Sequence, residues 1–123
     1  MTLPRPLIVA QLASLSAEYQ LIPYARDITP TRATVMVRID GVSPTDDRML
    51  RRYQAALLVI TPRIDPTGPA DDELDAALED VLYSLDQTPA GIVWESARRV
   101  VYADVLPAYE IAITVHTNHT RGE

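Results

Sequence analysis

The sequence predicts an α+β domain of element order αββαββ, a four-stranded, mainly antiparallel sheet with two helices packed on one face. Three observations predict it. Prolines divide the chain into segments, because proline lacks an N–H and is excluded from helix interiors and central strands. Two segments carry apolar residues at helical spacing. Four others have the length, alternation or continuous apolar character of strands.

The ten prolines stand at positions 4, 6, 23, 30, 44, 62, 66, 69, 89 and 107, each between predicted elements or at the start of one. Pro6 opens the first helix, where its fixed φ costs nothing. Behind it Ile8, Leu12, Leu15 and Tyr19 make one apolar stripe of spacing i, i+4, i+7, i+11. From Leu21 to Arg32 there are two prolines and no helical period, so this stretch is a connector. In Thr34–Asp40, Val35, Val37 and Ile39 alternate with Met36, Arg38 and Asp40, a strand with one face inward. Gly41–Asp47 is rich in turn residues. Tyr53–Thr61 is apolar on both faces, as a central strand requires, and residues 62–70, with three prolines and Gly68, form a loop.

The second helix is predicted over 71–86. Leu74, Leu78, Val81, Leu82 and Leu85 form its apolar stripe, and Asp71, Asp72 and Glu73 crowd a first turn whose dipole favours anions. Thr88-Pro89-Ala90-Gly91 ends it. Strands then follow over Ile92–Tyr102 and Tyr109–Thr117, joined by a hairpin loop at 103–108. In the last strand Tyr109, Ile111, Ile113 and Val115 alternate with Glu110, Ala112, Thr114 and His116. Trp94, on the strand before it, reads as a core residue.

A length of 123 residues implies one domain, 1–123, large enough to bury an ordinary core. The N-terminal apolar patch is broken by Gln11 and Ser14, far short of the ~20 apolar residues a membrane span needs, so no membrane association is expected. Cysteine is absent, which removes disulfides, thiolate metal sites and cysteine nucleophiles together. All eleven basic residues are arginine, and against seventeen acids they leave a net charge of −6. That balance opposes a protein that grips nucleic acid through its phosphates.

No catalytic constellation can be assembled. His116 falls on the polar side of the last strand and His119 beyond it, a pair read as exposed tail residues rather than metal ligands. Ser14, Ser16, Ser43, Ser84 and Ser96 have neither a nucleophile-elbow context nor a histidine placed to activate them. Four isolated glycines write no phosphate loop or dinucleotide fingerprint. No cofactor is expected.

The charge is divided unevenly. Residues 1–63 hold eight arginines and five acids, net +3, whereas residues 64–123 hold three arginines and twelve acids, net −9. Arg48, Arg51 and Arg52 concentrate three guanidiniums beside the 41–47 loop. Seven acids lie on the second helix with no base among them, and Asp72, Asp75 and Glu79 share its face away from the leucines. The plain reading of that face is solvation; the sharper one is contact with arginines of another subunit. Arg98 and Arg99, adjacent on a strand, must face opposite ways, so at least one is outside or paired across an interface. These eight residues are the candidate contacts, and opposite charge on one small domain suits head-to-tail association into rings.

The segment Trp94-Glu-Ser-Ala-Arg-Arg-Val-Val-Tyr102, followed by Ala-Asp-Val-Leu-Pro107-Ala-Tyr-Glu-Ile-Ala-Ile-Thr-Val115, resembles the C-terminal hairpin of small tail terminator proteins of long-tailed bacteriophages, those infecting actinobacteria above all. The Tyr-x-Ala-Asp…Pro-Ala-Tyr-Glu-Ile sequence carries the resemblance, which extends in length and element order over nearly the whole chain. It implies a non-enzymatic virion subunit, assembled in the host cytoplasm, that forms a hexameric ring on the last ring of the tail tube. Such a ring stops tube polymerisation and meets the head-side connector protein. DNA passes through its lumen without specific binding, and six copies at −6 would total about −36, a repelling or neutral lumen. The resemblance assigns no contact residue; the eight candidates come from charge alone. The alternatives are a head–tail connector or adaptor and, in a different class, a small α+β ligand-binding domain or enzyme with a pocket near Trp94 and Glu95.

Overall fold

A computed structural model describes residues 3–15, 18–24, 32–46, 49–62, 68–87, 91–102 and 106–118, with side chains for all but 68–71 and 118. The described elements are α1 (Pro4–Leu12), a 3₁₀ turn (Ala13–Leu15), β1 (Gln20–Ile22), β2 (Thr34–Pro44), β3 (Leu50–Ile60), α2 (Gly68–Asp86), β4 (Ile92–Tyr102) and β5 (Leu106–Asn118). The strands form one five-stranded mixed sheet in the order β1-β2-β3-β5-β4. The four expected strands are the antiparallel set β2-β3-β5-β4. To them is added β1, parallel to β2 with Gln20 opposite Thr34 and Ile22 opposite Met36. The segment read as a connector therefore begins with a strand. Three residues are too few to display a period, and the pairing to β2 rather than any local pattern holds them extended.

Both helices cover one face. Ile8 and Leu12 of α1 join Leu74, Ala77, Val81 and Leu85 of α2 over Val35, Val37, Leu57, Val59, Ile111, Ile113 and Val115 of the sheet, all at most 2% exposed. The helical spacing of α2 is the cause of this contact: Leu74, Val81 and Leu85 lie on one stripe and the half-buried Leu78 and Leu82 flank it. Complete burial of one Leu or Ile side chain contributes roughly 1.5–3 kcal/mol, so this layer is the main source of stability.

Element ends differ from expectation in instructive ways. The predicted stripe of α1 runs to Tyr19, but the helix stops at Leu12 and tightens into the 3₁₀ turn. Tyr19, buried at 7%, reaches the core from the turn beyond, where its N–H is bonded to the Leu15 carbonyl at 2.9 Å. α2 starts at Gly68, so Asp72 and Glu73 lie in its second turn rather than its first. The turn-rich segment 41–44 is the second half of β2, entered through a bulge between Ile39 and Gly41. Pro44 is tolerated there because β1 pairs only with Thr34–Met36, leaving that edge of β2 without a neighbouring strand among the described residues. Similarly, β5 begins three residues before Tyr109 and includes Pro107.

The other face changes along its length. At one end Ile22, Met36, Ile60, Leu106 and Ala108 form a second, smaller buried cluster with Leu58, Val100 and Tyr102 packed on it. Toward the other end the residues on this face are Arg38, Gln54, Thr114 and His116, and no described helix lies over them. One glycine is required by geometry. Gly91 has φ of 102°, accessible to glycine at little cost, and its carbonyl accepts the His116 N–H at 2.7 Å, which anchors the start of β4 against the end of β5.

Candidate assembly interface

The eight charged candidates separate into those used inside the subunit and those that are not. Arg98 and Glu110 lie directly opposite each other in the β4–β5 register and are joined at 3.1 Å. Glu110 also accepts from Arg38 at 3.3 Å, across the intervening strand β3, where the facing residue Ala56 is small enough to be crossed. Arg38 in turn holds Asp40 at 2.6 Å. The result is a line of alternating charge, Asp40–Arg38–Glu110–Arg98, running over the face opposite the helices. Arg99 points the other way, with its guanidinium 5.5 Å from the centre of the Tyr109 ring. Alternation along β4 therefore puts the two arginines on opposite faces, as expected, and each has a partner within its own chain.

The carboxylates of α2 divide in the same manner. Asp75 accepts a hydrogen bond from the Tyr109 hydroxyl at 2.9 Å, Asp80 from the Tyr19 hydroxyl at 2.5 Å, and Asp86 from the Trp94 indole N–H at 2.8 Å. Three of the acids thus tie the helix to β5, to the chain after α1, and to β4. Burial and the Asp80 contact push the Tyr19 hydroxyl pKa up; at Tyr109 the bond to Asp75 does so first and burial second. None of the three fixtures was legible in the sequence, although Tyr19, Trp94 and Tyr109 were visible as aromatics with polar ends. Donors of this kind require partners when they are partly buried, and that is the signal that could have found the contacts.

Asp72 and Glu79 are different. Both are exposed, and neither has an ion pair or hydrogen bond among the described residues. With Ala76 and Tyr83 they form the stripe 72, 76, 79, 83 on the outer side of α2, and Tyr83 is 68% exposed. Asp75, expected on this face, is turned toward Tyr109 instead.

On the basic side, Arg48 lies outside the described residues, as does His119. Arg51 and Arg52 are not beside a loop but within β3, opposite Pro44 and Ser43 of β2 and Thr117 and His116 of β5. Adjacent on one strand, Arg51 and Arg52 face opposite sides of the sheet and do not form one patch. Arg51 is half-buried and Arg52 exposed, and neither meets a carboxylate among the described residues. Arg52 is held by its Nε, which donates to Ser43 Oγ at 3.3 Å; Gln54 Nε2 donates to the same oxygen at 3.1 Å. This arrangement holds exposed Arg52 on the face opposite the helices, with no hydrogen bond from its terminal nitrogens among the described residues.

Two concavities flank Arg52 and His116. One, of about 390 Å³, is lined also by Gln54, Val93, Glu95 and Thr114, and the other, of about 410 Å³, by Pro44, Thr45, Asp46 and Leu50. A third, of about 330 Å³, lies between α1 and α2 over the reciprocal bonds of Gln11 and Ser84. The described residues contain no group of three His, Asp or Glu side chains able to hold a metal ion, and no helix long and apolar enough to cross a membrane. Glu95, beside Trp94, is bonded to the Thr114 hydroxyl at the β4 bulge. No protein-family model and no curated protein matches this chain.

Proposed function

We propose that this chain is a structural virion subunit whose ring caps the head-proximal end of a phage tail tube, stopping tube growth and forming the joint to the head connector. The observation that carries the reading is the separation of unsatisfied charge: Arg52 stands on the uncovered sheet face, while Asp72 and Glu79 stand on the outer side of the helix layer. Unpaired charges of opposite sign on opposite sides cannot pair within one copy, and between copies they favour head-to-tail contact. The tail-terminator likeness supplies the rest. The residues that carry it are those of β4 and β5, and the likeness implies an α/β subunit, with which two helices on one side of a five-stranded mixed sheet are compatible. The net charge of −6 suits a lumen that DNA crosses without being held.

Light scattering and electron microscopy of the purified protein, alone and with tail-tube protein, test this reading. Rings are expected, together with tubes that stop growing once capped. A strict monomer under both conditions overturns it. Rings that bind head connector and ignore the tube transfer the protein to the adaptor class.

A further inference from the structure

We infer that the cleft between α1 and α2 is a seat for an arginine side chain of a partner protein. Such a seat does not depend on ring formation. The cleft, of about 330 Å³, is walled by Gln11 of α1, Glu18 of the turn beyond, and Asp80, Tyr83 and Ser84 of α2. Its inner donors are engaged with one another's acceptors. Gln11 Nε2 donates to the Ser84 carbonyl at 2.8 Å, and the Ser84 hydroxyl returns a bond to the Gln11 carbonyl at 3.1 Å. The Tyr19 hydroxyl donates to Asp80 Oδ2. The acceptors stay open: Gln11 Oε1, Asp80 Oδ1 and the exposed Glu18 carboxylate have no bond among the described residues. The side-chain donors that remain belong to Ser14, Tyr83 and Gln87, all of them exposed.

Open acceptors beside engaged donors select a ligand that only donates, and among charged side chains that means arginine or lysine. Charge points the same way. No basic side chain lines the cleft. Tyr19 registers the negative field there: burial first, then its bond to Asp80 and the charges of Asp80, Glu18 and Glu73, raise its pKa. Two features favour arginine over lysine. The open acceptors come from both sides of the cleft, Gln11 and Glu18 on one and Asp80 on the other, and a planar fork of N–H groups serves separated acceptors better than a compact ammonium. Tyr83, 68% exposed, offers a ring on which a guanidinium stacks. Free arginine fits less well, because its α-carboxylate enters the same negative field, whereas in a protein that group is a neutral amide.

NMR titration of the isotope-labelled protein with the peptide acetyl-Gly-Arg-Gly-amide tests this. Saturable shifts are expected at the Gln11 and Gln87 side-chain amides and at the Ser84 N–H. The same peptide carrying citrulline, which keeps the shape of arginine without its charge, is expected to bind at least about tenfold more weakly. A lysine peptide is expected to bind more weakly than the arginine peptide. Glu18→Gln and Tyr83→Ala, both at exposed positions, are each expected to raise Kd about threefold. Asp80 is left intact because it holds Tyr19. The absence of saturable shifts overturns the inference, as does citrulline or lysine binding as tightly as arginine. Unchanged affinity in both variants with a native spectrum overturns it too. Free arginine binding more tightly than the peptide makes the cleft a small-molecule site and overturns the partner. None of these outcomes bears on whether the protein forms rings, which light scattering reads separately.

Discussion

The two faces of the sheet are built from the same strands and do opposite work. On the helix face, β3 contributes Ala55, Leu57 and Val59 and β5 contributes Ile111, Ile113 and Val115, all at most 3% exposed. On the other face, beyond the small apolar cluster that Leu58, Ile60 and Ala108 join at one end, the same two strands contribute Gln54, Ala56, Glu110, Ala112, Thr114 and His116, and the contacts there include ion pairs and side-chain hydrogen bonds. Apolar burial is non-directional and scales with area, so the first face stabilises the fold whatever its details. Charge on the second face is solvated and screened, so its arrangement contributes little to folding and much to which surface it can meet. One face carries the main core; the other adds the smaller cluster of Ile22, Met36, Ile60, Leu106 and Ala108 at one end and is polar toward the other.

This contrast can be broken or sharpened by experiment. The largest effect is expected on the helix face: Ile111→Ala, at a position with no exposure, is expected to cost about 2–5 kcal/mol by urea denaturation. A loss below about 1 kcal/mol would show that the helix layer is loosely packed and the contrast overstated. Next comes high pH. The folded state keeps the Tyr19 and Tyr109 protons above the ordinary tyrosine value of 10.0, so their contribution is fully present below about pH 10 and is lost as pH rises beyond it. Tyrosinate absorbance is expected to show these two titrating above the ordinary tyrosine value, and Tyr19→Phe is expected to remove one of the late steps.

On the uncovered face, Glu110→Gln is expected to cost about 0.5–1 kcal/mol despite touching two arginines, because Arg38 and Arg98 remain largely in water. A double-mutant cycle with Arg98→Ala measures that coupling, and a value above about 2 kcal/mol would mean that this face also carries the fold. The smallest effect is expected at Thr61, whose hydroxyl is buried without a hydrogen-bond partner among the described residues. Replacement by valine, which keeps the shape and removes the unsatisfied group, is expected to leave stability unchanged or raise it by up to about 1 kcal/mol in thermal melts.

Much of the helix face was legible in the sequence. Val35, Val37 and Ile39, the leucine stripe of α2, and Tyr109 through Val115 show their periods locally, because a period is a property of successive residues and needs no partner to be seen. The uncovered face was legible only as polarity. That Glu110 would serve two arginines, one of them two strands away, depends on strand order and on the small Ala56 between them. The sequence of either strand states neither. The eight contact candidates show the same limit. Composition marks every charge equally, but folding engages Asp75, Arg98 and Arg99 within the subunit and leaves Arg52, Asp72 and Glu79 without an ion pair among the described residues.

By itself the sequence determined the α+β class, both helices, the four long strands and which side of each is apolar, since these follow from spacing and from where proline is forbidden. Only the tertiary structure decided the fifth strand, the continuation of β2 through its bulge, and the division of charges into paired and free. Each of these depends on hydrogen bonds or ion pairs between segments distant in the chain, whose energies exist only once the sheet has brought the partners together.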